Sequence, residues 1–323
     1  ITWSAESAEK GGYAHFTIKE IYEQPKALKD TMTGRIVPGK KVKLDDIHIT
    51  KEMLEDYSRI YIIACGTAYN AGLIGKVAIE NLARIPVEVD VASEFRYRNP
   101  IIDAKTLVIV ISQSGETADT LAVSREAQKF GARVIAITNV VGSSIAREAD
   151  DVFYTWAGPE IGVASTKAYL TMLVAIYSIG IYFAELLGTQ KETYLEDLKK
   201  ELLTLPEKVA SIIADTKKIE HFADKIHTEK DVFFLGRGLD YQIAVEASLK
   251  LKELSYIHSE AYPGGELKHG SIALIEDDIT VIASLTQRDL LEKMQSNIKE
   301  VVSRGAKVMA ITFEDNHDVE HFS

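Results

Sequence analysis

The six residues Ser112-Gln113-Ser114-Gly115-Glu116-Thr117 stand between an apolar run, Thr106 to Ile111, and a helix-like stretch, Ala118 to Phe130. A buried strand that feeds a helix through such a turn belongs to folds in which helices cover a parallel sheet. The same turn makes an anion site. The first N–H groups of a helix have no intrahelical acceptor, and the helix dipole favours negative charge there. Ser112, Ser114 and Thr117 add hydroxyl donors, and Gly115 lets the backbone approach a ligand closely. No Lys or Arg lies within the six. The pattern reads as a neutral, hydrogen-bonding clamp for a small phosphate ester, and it is not a P-loop, because G-x-x-x-x-G-K-[ST] is absent. The bland alternative is a Ser-rich turn that only caps a helix.

The remaining chain fits that reading. Strand-like runs at 59–64, 86–91, 106–111, 133–138 and 151–155 alternate with helical stretches at 67–83, 117–130 and 165–187. Alternation of this kind argues a parallel sheet. A helical stretch near 192–226 is expected to start a second unit, with strands at 231–236, 279–284 and 306–312 and helices at 239–257 and 288–304. The two units echo one another. Gly131-Ala-Arg-Val-Ile-Ala-Ile-Thr138 recurs as Gly305-Ala-Lys-Val-Met-Ala-Ile-Thr312, and Arg59 to Gly66 parallels Asp231 to Gly238. A period this long means a duplicated domain and not a solenoid. The expected fold is therefore α/β, two tandem doubly wound parallel-sheet domains related by duplication. The segment from Ile1 to about Tyr22 reads as a polar, irregular linker, with an amphipathic helix near Lys26 to Thr33. The expected division is a linker at 1–25, a first domain at 26–190 and a second at 191–323.

Composition excludes several classes. The 323 residues are 46% hydrophobic and 26% charged, ordinary for a globular chain. The net charge of −11 argues against nucleic-acid binding, so an anionic substrate must be held by local groups. The single cysteine, Cys65, excludes an internal disulfide and fits a reducing cytoplasm. Ala168 to Ala184 carries no charge, but its tyrosines and flanking charges read as a buried helix and not a membrane span. No signal peptide is visible.

Three turns sit at strand ends in the first unit, where open α/β sheets bind ligands. They are Cys65-Gly66-Thr67, Ser112 to Thr117, and Gly162-Val163-Ala164-Ser165-Thr166-Lys167. Ser165 reads as a helix N-cap and Lys167 as a group that could touch an anion; plain capping is the competing role. Cys65 has no paired His and reads as a small buried residue. In the second unit, Glu246, Lys250 and Glu253 fall on one face of a helix. They serve either as helix-supporting ion pairs or as a lysine-held carboxylate beside a base, Glu253. Ala261 to Gly270 reads as a shaped loop that carries His269, a candidate acid/base. His317 and His321 lack further ligands, so no metal is assigned, and no cofactor is expected.

At these residues the sequence resembles a known family. Cys65-Gly-Thr67, Ser93-Glu-Phe-Arg-Tyr-Arg98, Ser112 to Thr117, Glu160-Ile-Gly-Val-Ala-Ser-Thr-Lys167, Lys250-Leu-Lys-Glu253 and Glu266-Leu-Lys-His-Gly270 occur in this order. The set resembles the isomerase half of the glutamine–fructose-6-phosphate aminotransferases, a pair of sugar-isomerase (SIS) domains. The resemblance implies that Ser112, Gln113, Ser114 and Thr117 bind the phosphate of fructose 6-phosphate or glucosamine 6-phosphate. It implies that Thr67, Ser165 and the backbone near Val163 contact the sugar. It makes Glu253 the group that moves a proton between C1 and C2, with Lys250 and Glu246 beside it. It has His269 open the sugar ring from the neighbouring subunit of a homodimer. The implied activity is conversion of fructose 6-phosphate to glucosamine 6-phosphate for amino-sugar (UDP-GlcNAc) synthesis in the cytoplasm.

The sequence departs from that family in three places. A glutaminase domain and its catalytic cysteine are expected in the full-length protein but lie outside the sequence, so glutamine hydrolysis is not expected of this chain. The family's closing strand and helices, and a lysine-bearing tail, are expected beyond Ser323. Ala68 stands where some relatives carry a hydroxyl. Two other readings remain open: an inactive sugar-phosphate-binding module, and another SIS enzyme such as a deglycase. Lys19-Glu-Ile-Tyr-Glu-Gln-Pro25 resembles the junction after a glutaminase domain, which disfavours the deglycase.

Overall fold

In the first unit the apolar runs become strands β1 (Arg59–Ala64), β2 (Val87–Val91), β3 (Thr106–Ser112), β4 (Arg133–Thr138) and β5 (Asp151–Tyr154). They pair in parallel in the order β2-β1-β3-β4-β5. Central β3 is buried at every residue, which is why it reads as an unbroken Val/Ile run. Ile62 stands opposite Ile109, and Ile109 opposite Ile135. Successive side chains leave opposite faces of the sheet. Ile60, Ile62 and Ile109 enter one core, while Tyr61, Ile63 and Val110 enter the other. The chain leaves β1 towards one edge and β3 towards the other. The crevice between their carboxyl ends is the place where such sheets bind ligands.

The computed structural model describes residues 9–316. The described residues form two compact units that divide between Ala214 and Asp215. Eight helices surround the first sheet among the described residues: α1 (Phe16–Met32), α2 (Lys51–Asp56), α3 (Thr67–Ala83), α4 (Ala92–Phe95), α5 (Ala118–Lys129), α6 (Ser144–Glu148), α7 (Lys167–Leu187) and α8 (Glu192–Ala214). Helix α7 is long and apolar enough to cross a membrane, but Ile176, Ile179 and Ile181 are fully buried and it packs along α3. It is a core helix.

Two expectations need correction here. The N-terminal segment is not irregular to Tyr22, because α1 starts at Phe16 and continues through Pro25. Proline lacks an N–H, so a proline inside a helix costs one of its hydrogen bonds. Burial of Leu28 and Met32, and packing along α7 and α8, outweigh the lost bond. The stretch from 192 does not open the second unit either. Helix α8 buries Leu195 and Leu202 in the first core, so the boundary moves from 190/191 to the end of α8.

The second unit holds β6 (Asp231–Gly236), β7 (His258–Pro263), β8 (Thr280–Leu285) and β9 (Lys307–Thr312), with α9 (Lys217–Ile226), α10 (Leu239–Ser255) and α11 (Leu291–Val302). Its parallel order, β7-β6-β8-β9, repeats the first four positions of the first sheet. The turns after β1 and β6 match in detail: Gly66 has φ 56° and ψ −131°, Gly238 has φ 55° and ψ −126°. Both bend a strand into a helix with a backbone that L side chains rarely adopt. Residues 261–263, expected as loop, complete β7 instead. This strand lies at the sheet edge, where polar residues and a terminal proline are tolerated.

Candidate functional site

In the first unit a cavity of about 180 Å³ opens at the carboxyl ends of β1 and β3, at the point where strand order reverses. Cys65 and Thr67 line it from the end of β1. Ser112, Gln113, Ser114 and Thr117 line it from the turn before α5, and Ser165 from the loop before α7. Ala68, Ile111 and Met172 supply apolar wall. Six expected substrate residues thus meet at one place. Val163, the seventh in this unit, is 97% exposed and does not line the cavity. Cys65 is half-buried, with Sγ 4.0 Å from Thr120 Oγ1.

The turn is braced from within and from behind. Ser112 Oγ lies 2.9 Å from Thr117 Oγ1 and accepts from Gly115 N at 3.1 Å. Glu116 N donates to Ser114 Oγ at 3.2 Å. Behind it, Asn139 N donates to Gln113 O at 3.1 Å and Ile145 N to Gly115 O at 3.0 Å. Gly115 has φ 65°, and a Cβ there would fall 2.0 Å from Ser143 Oγ. The Glu116 carboxylate turns to α6, where Ser144 N donates to it at 2.8 Å. Hydrogen bonding from Ser144 holds the Glu116 carboxyl below its ordinary range. Asp119, in the first turn of α5, would oppose an anion, but Arg96 pairs with it at 2.8 Å. Hydroxyls and a helix N-terminus therefore face the cavity, with no Lys or Arg in its wall.

The loop between β5 and α7 differs from expectation. Ser165 is not the N-cap: Thr166 holds that position and makes no side-chain cap bond. Capping falls to Glu160, whose carboxylate accepts from Thr166 N at 2.8 Å, Ala168 N at 3.2 Å and Ser165 Oγ at 2.8 Å. Lys167 does not line the cavity; it is 2% exposed and pairs with the Glu23 carboxylate of α1 at 2.6 Å. Glu20, also on α1, accepts from Ile161 N at 2.6 Å and Gly162 N at 3.0 Å. Glu160 lay in a quoted motif and could have been suspected as an acid preceding a Ser-Thr pair. Glu20 is far away in sequence and gave no local signal.

In the second unit Glu246, Lys250 and Glu253 do share one face of α10. Lys250 Nζ lies 3.4 Å from Glu246 Oε1 and 2.5 Å from Glu253 Oε2. The Glu246 side chain is buried, while that of Glu253 reaches solvent. His269 ends a short 3-10 turn, Leu267–His269, after β7 and is exposed. A cavity of about 290 Å³ in this unit is lined by Arg237, Tyr241 and Glu266, among others, and includes neither Glu253 nor His269. Among the described residues no three His, Cys, Asp or Glu side chains cluster as metal ligands. His317 and His321 lie outside the described residues.

Comparison with known proteins gives a consistent picture. A family model, the SIS domain, matches residues 53–182 and 225–323, once in each unit. The glutamine–fructose-6-phosphate aminotransferase (isomerizing) of Clostridium perfringens is 65% identical over 97% of this chain and 52% of its own length. That of Thermus thermophilus is 47% identical over 99% of this chain and 52% of its own length. The chain thus spans about half the length of the curated relatives it matches. Among solved structures, the C-terminal domain of glucosamine-fructose-6-phosphate aminotransferase from Francisella tularensis superposes with a TM-score of 0.90 at 40% identity. That match covers 98% of this chain and 87% of the other. A glucosamine-6-phosphate deaminase from Thermotoga maritima shares the fold, with a TM-score of 0.73 at 23% identity over 92% of this chain and 85% of that one.

Proposed function

This chain belongs to the SIS-domain family, among the C-terminal halves of the glutamine–fructose-6-phosphate aminotransferases, and from that premise we propose that it is the sugar-phosphate isomerase part of such an enzyme. In this reading it binds fructose 6-phosphate and, with ammonia from a glutaminase domain of the longer protein, forms glucosamine 6-phosphate. It acts in the cytoplasm as a homodimer. The observation that carries the reading is the convergence of Thr67, Ser112, Ser114, Thr117 and Ser165 on one cavity at the sheet's reversal point. A phosphate fixed on the turn before α5 holds the carbon chain in one orientation, which removes much of the entropic cost of the reaction.

The resemblance to that family supplies a role for each remaining residue. Thr67, Ser165 and the backbone of Val163 contact the sugar, and Gln113 assists the three hydroxyls at the phosphate. Glu253 takes the proton from C1 of the aminated ketose and returns it to C2, as one carboxylate can across a planar intermediate. Lys250 stands beside it on α10 and fixes its side chain by ion pairing, and Glu246 pairs in turn with Lys250. His269, supplied by the neighbouring subunit, opens the sugar ring by moving a proton at the ring oxygen. The test is exchange of solvent deuterium into the sugar at C1 and C2. Glu253→Gln retains sugar-phosphate binding and loses exchange; exchange at the wild-type rate would remove Glu253 as the base.

A further inference from the structure

We propose that Glu160 is a positioning residue that fixes the hydrogen-bond polarity of Ser165, so that this end of the cavity selects a hydroxyl-bearing carbon chain over an oxidised one. The inference rests on the sugar-phosphate reading above and deepens it. Ser165 Oγ donates to Glu160 Oε2 at 2.8 Å. A hydroxyl has one proton, and a carboxylate can only accept. Ser165 therefore spends its donor on Glu160 and offers lone pairs to the cavity it lines. A sugar O–H satisfies those lone pairs. A carboxylate oxygen of the ligand would face an acceptor with an acceptor, leaving both unpaired, and would also meet the charge of Glu160.

Glu160 is held firmly enough to do this. Its other oxygen accepts from Thr166 N and Ala168 N at the start of α7. The next residues, Ile161 and Gly162, donate their N–H groups to buried Glu20. A Cβ on Gly162 would lie 2.6 Å from Glu20 Oε2, so the loop sits close against α1. The carboxylate at the α7 N-terminus also uses donors that would otherwise attract a phosphate. The phosphate is left to the Ser112–Thr117 turn, and the ligand's carbon chain points to Ser165. Glu160 thus sets both the direction of the ligand and the group it must carry.

The experiment is equilibrium binding to the whole chain of three probes: inorganic phosphate, glucitol 6-phosphate and 6-phosphogluconate. The last two differ at the far carbon, a hydroxyl against a carboxylate. In Glu160→Gln the amide NH2 donates to Ser165 Oγ, which frees the serine proton to point into the cavity. The preference for glucitol 6-phosphate over 6-phosphogluconate then falls by about ten-fold or reverses, while inorganic phosphate binds as before. A uniform loss for all three probes, or an unchanged preference, overturns the proposal. Ser165→Ala, which leaves the α7 cap in place, provides a second readout should the glutamine variant fail to fold. It lowers affinity for glucitol 6-phosphate by about ten-fold while inorganic phosphate binds as before, and an unchanged affinity for glucitol 6-phosphate again overturns the proposal. Failure of the wild-type chain to bind any of the three would overturn the sugar-phosphate reading itself.

Discussion

Replacing Gly115 with alanine strikes the Ser112–Thr117 turn at its tightest point. The residue has φ 65°, a conformation that costs an L side chain about 1–2 kcal/mol. The added Cβ would also lie 2.0 Å from Ser143 Oγ, 2.5 Å from Ser143 Cβ and 2.8 Å from Thr138 Oγ1. Both neighbours are buried, so neither can swing into solvent. Overpacking of this kind costs about 1–3 kcal/mol. The expected loss is about 2–5 kcal/mol of stability in the first unit, with a weaker site because the turn must move off β4. Gly39 gives the control. It has φ 71° and open space around its Cβ, so Gly39→Ala carries the backbone strain alone. Chemical denaturation compares the two, and calorimetric titration with fructose 6-phosphate reads the site. Adding Ser143→Gly to Gly115→Ala should recover part of the steric loss, and Ser143 Oγ makes no hydrogen bond of its own to forfeit. If Gly115→Ala proves no more destabilised than Gly39→Ala and binds the sugar phosphate like wild type, the packing argument fails.

Further outcomes follow from the same contacts. Ser112→Ala removes the acceptor for Gly115 N and the partner of Thr117, so sugar-phosphate affinity should fall by about 1–3 kcal/mol in calorimetry; unchanged affinity would remove the turn as the phosphate site. Glu20→Ala strands the N–H groups of Ile161 and Gly162 and should cost about 2–4 kcal/mol in denaturation, with Glu20→Gln costing less because it keeps an acceptor. The Glu116 carboxyl is held below its ordinary range, so its contribution is fully present above the unfolded carboxyl value and is lost as pH falls through the lower folded value. The stability difference between wild type and Glu116→Gln should therefore be present at neutral pH and vanish in acid, and a difference that persists in acid would contradict the Ser144 contact as its source.

The parts of the fold that rest on local pattern were legible in the chain. β3 and β4 are rich in β-branched residues, and α3 and α10 begin at a strand-ending glycine, so their places followed from residue type alone. The grouping of Ser112, Ser114, Thr117 and Thr67 was legible too, because strand ends in a parallel sheet converge. What escaped was set by distant contacts. Helix α1 runs through Pro25 because α7 and α8 cover it, and α8 joins the first unit through Leu195 and Leu202. Lys167 looked like an anion ligand from its neighbours, but Glu23, far away in the chain, takes it. Ser165 looked like a cap, yet the Glu160 carboxylate reaches the α7 backbone first. β7 is an edge strand, whose polar residues carry little hydrophobic signal.

The most direct test of the account is calorimetric titration of this chain with fructose 6-phosphate and, in parallel, with fructose. The phosphate is assigned to hydroxyls and helix N–H groups of the Ser112–Thr117 turn, so the account predicts saturable binding of the phosphate ester at one site per chain and none of the free sugar. Equal binding of both sugars, or binding of neither, would contradict it.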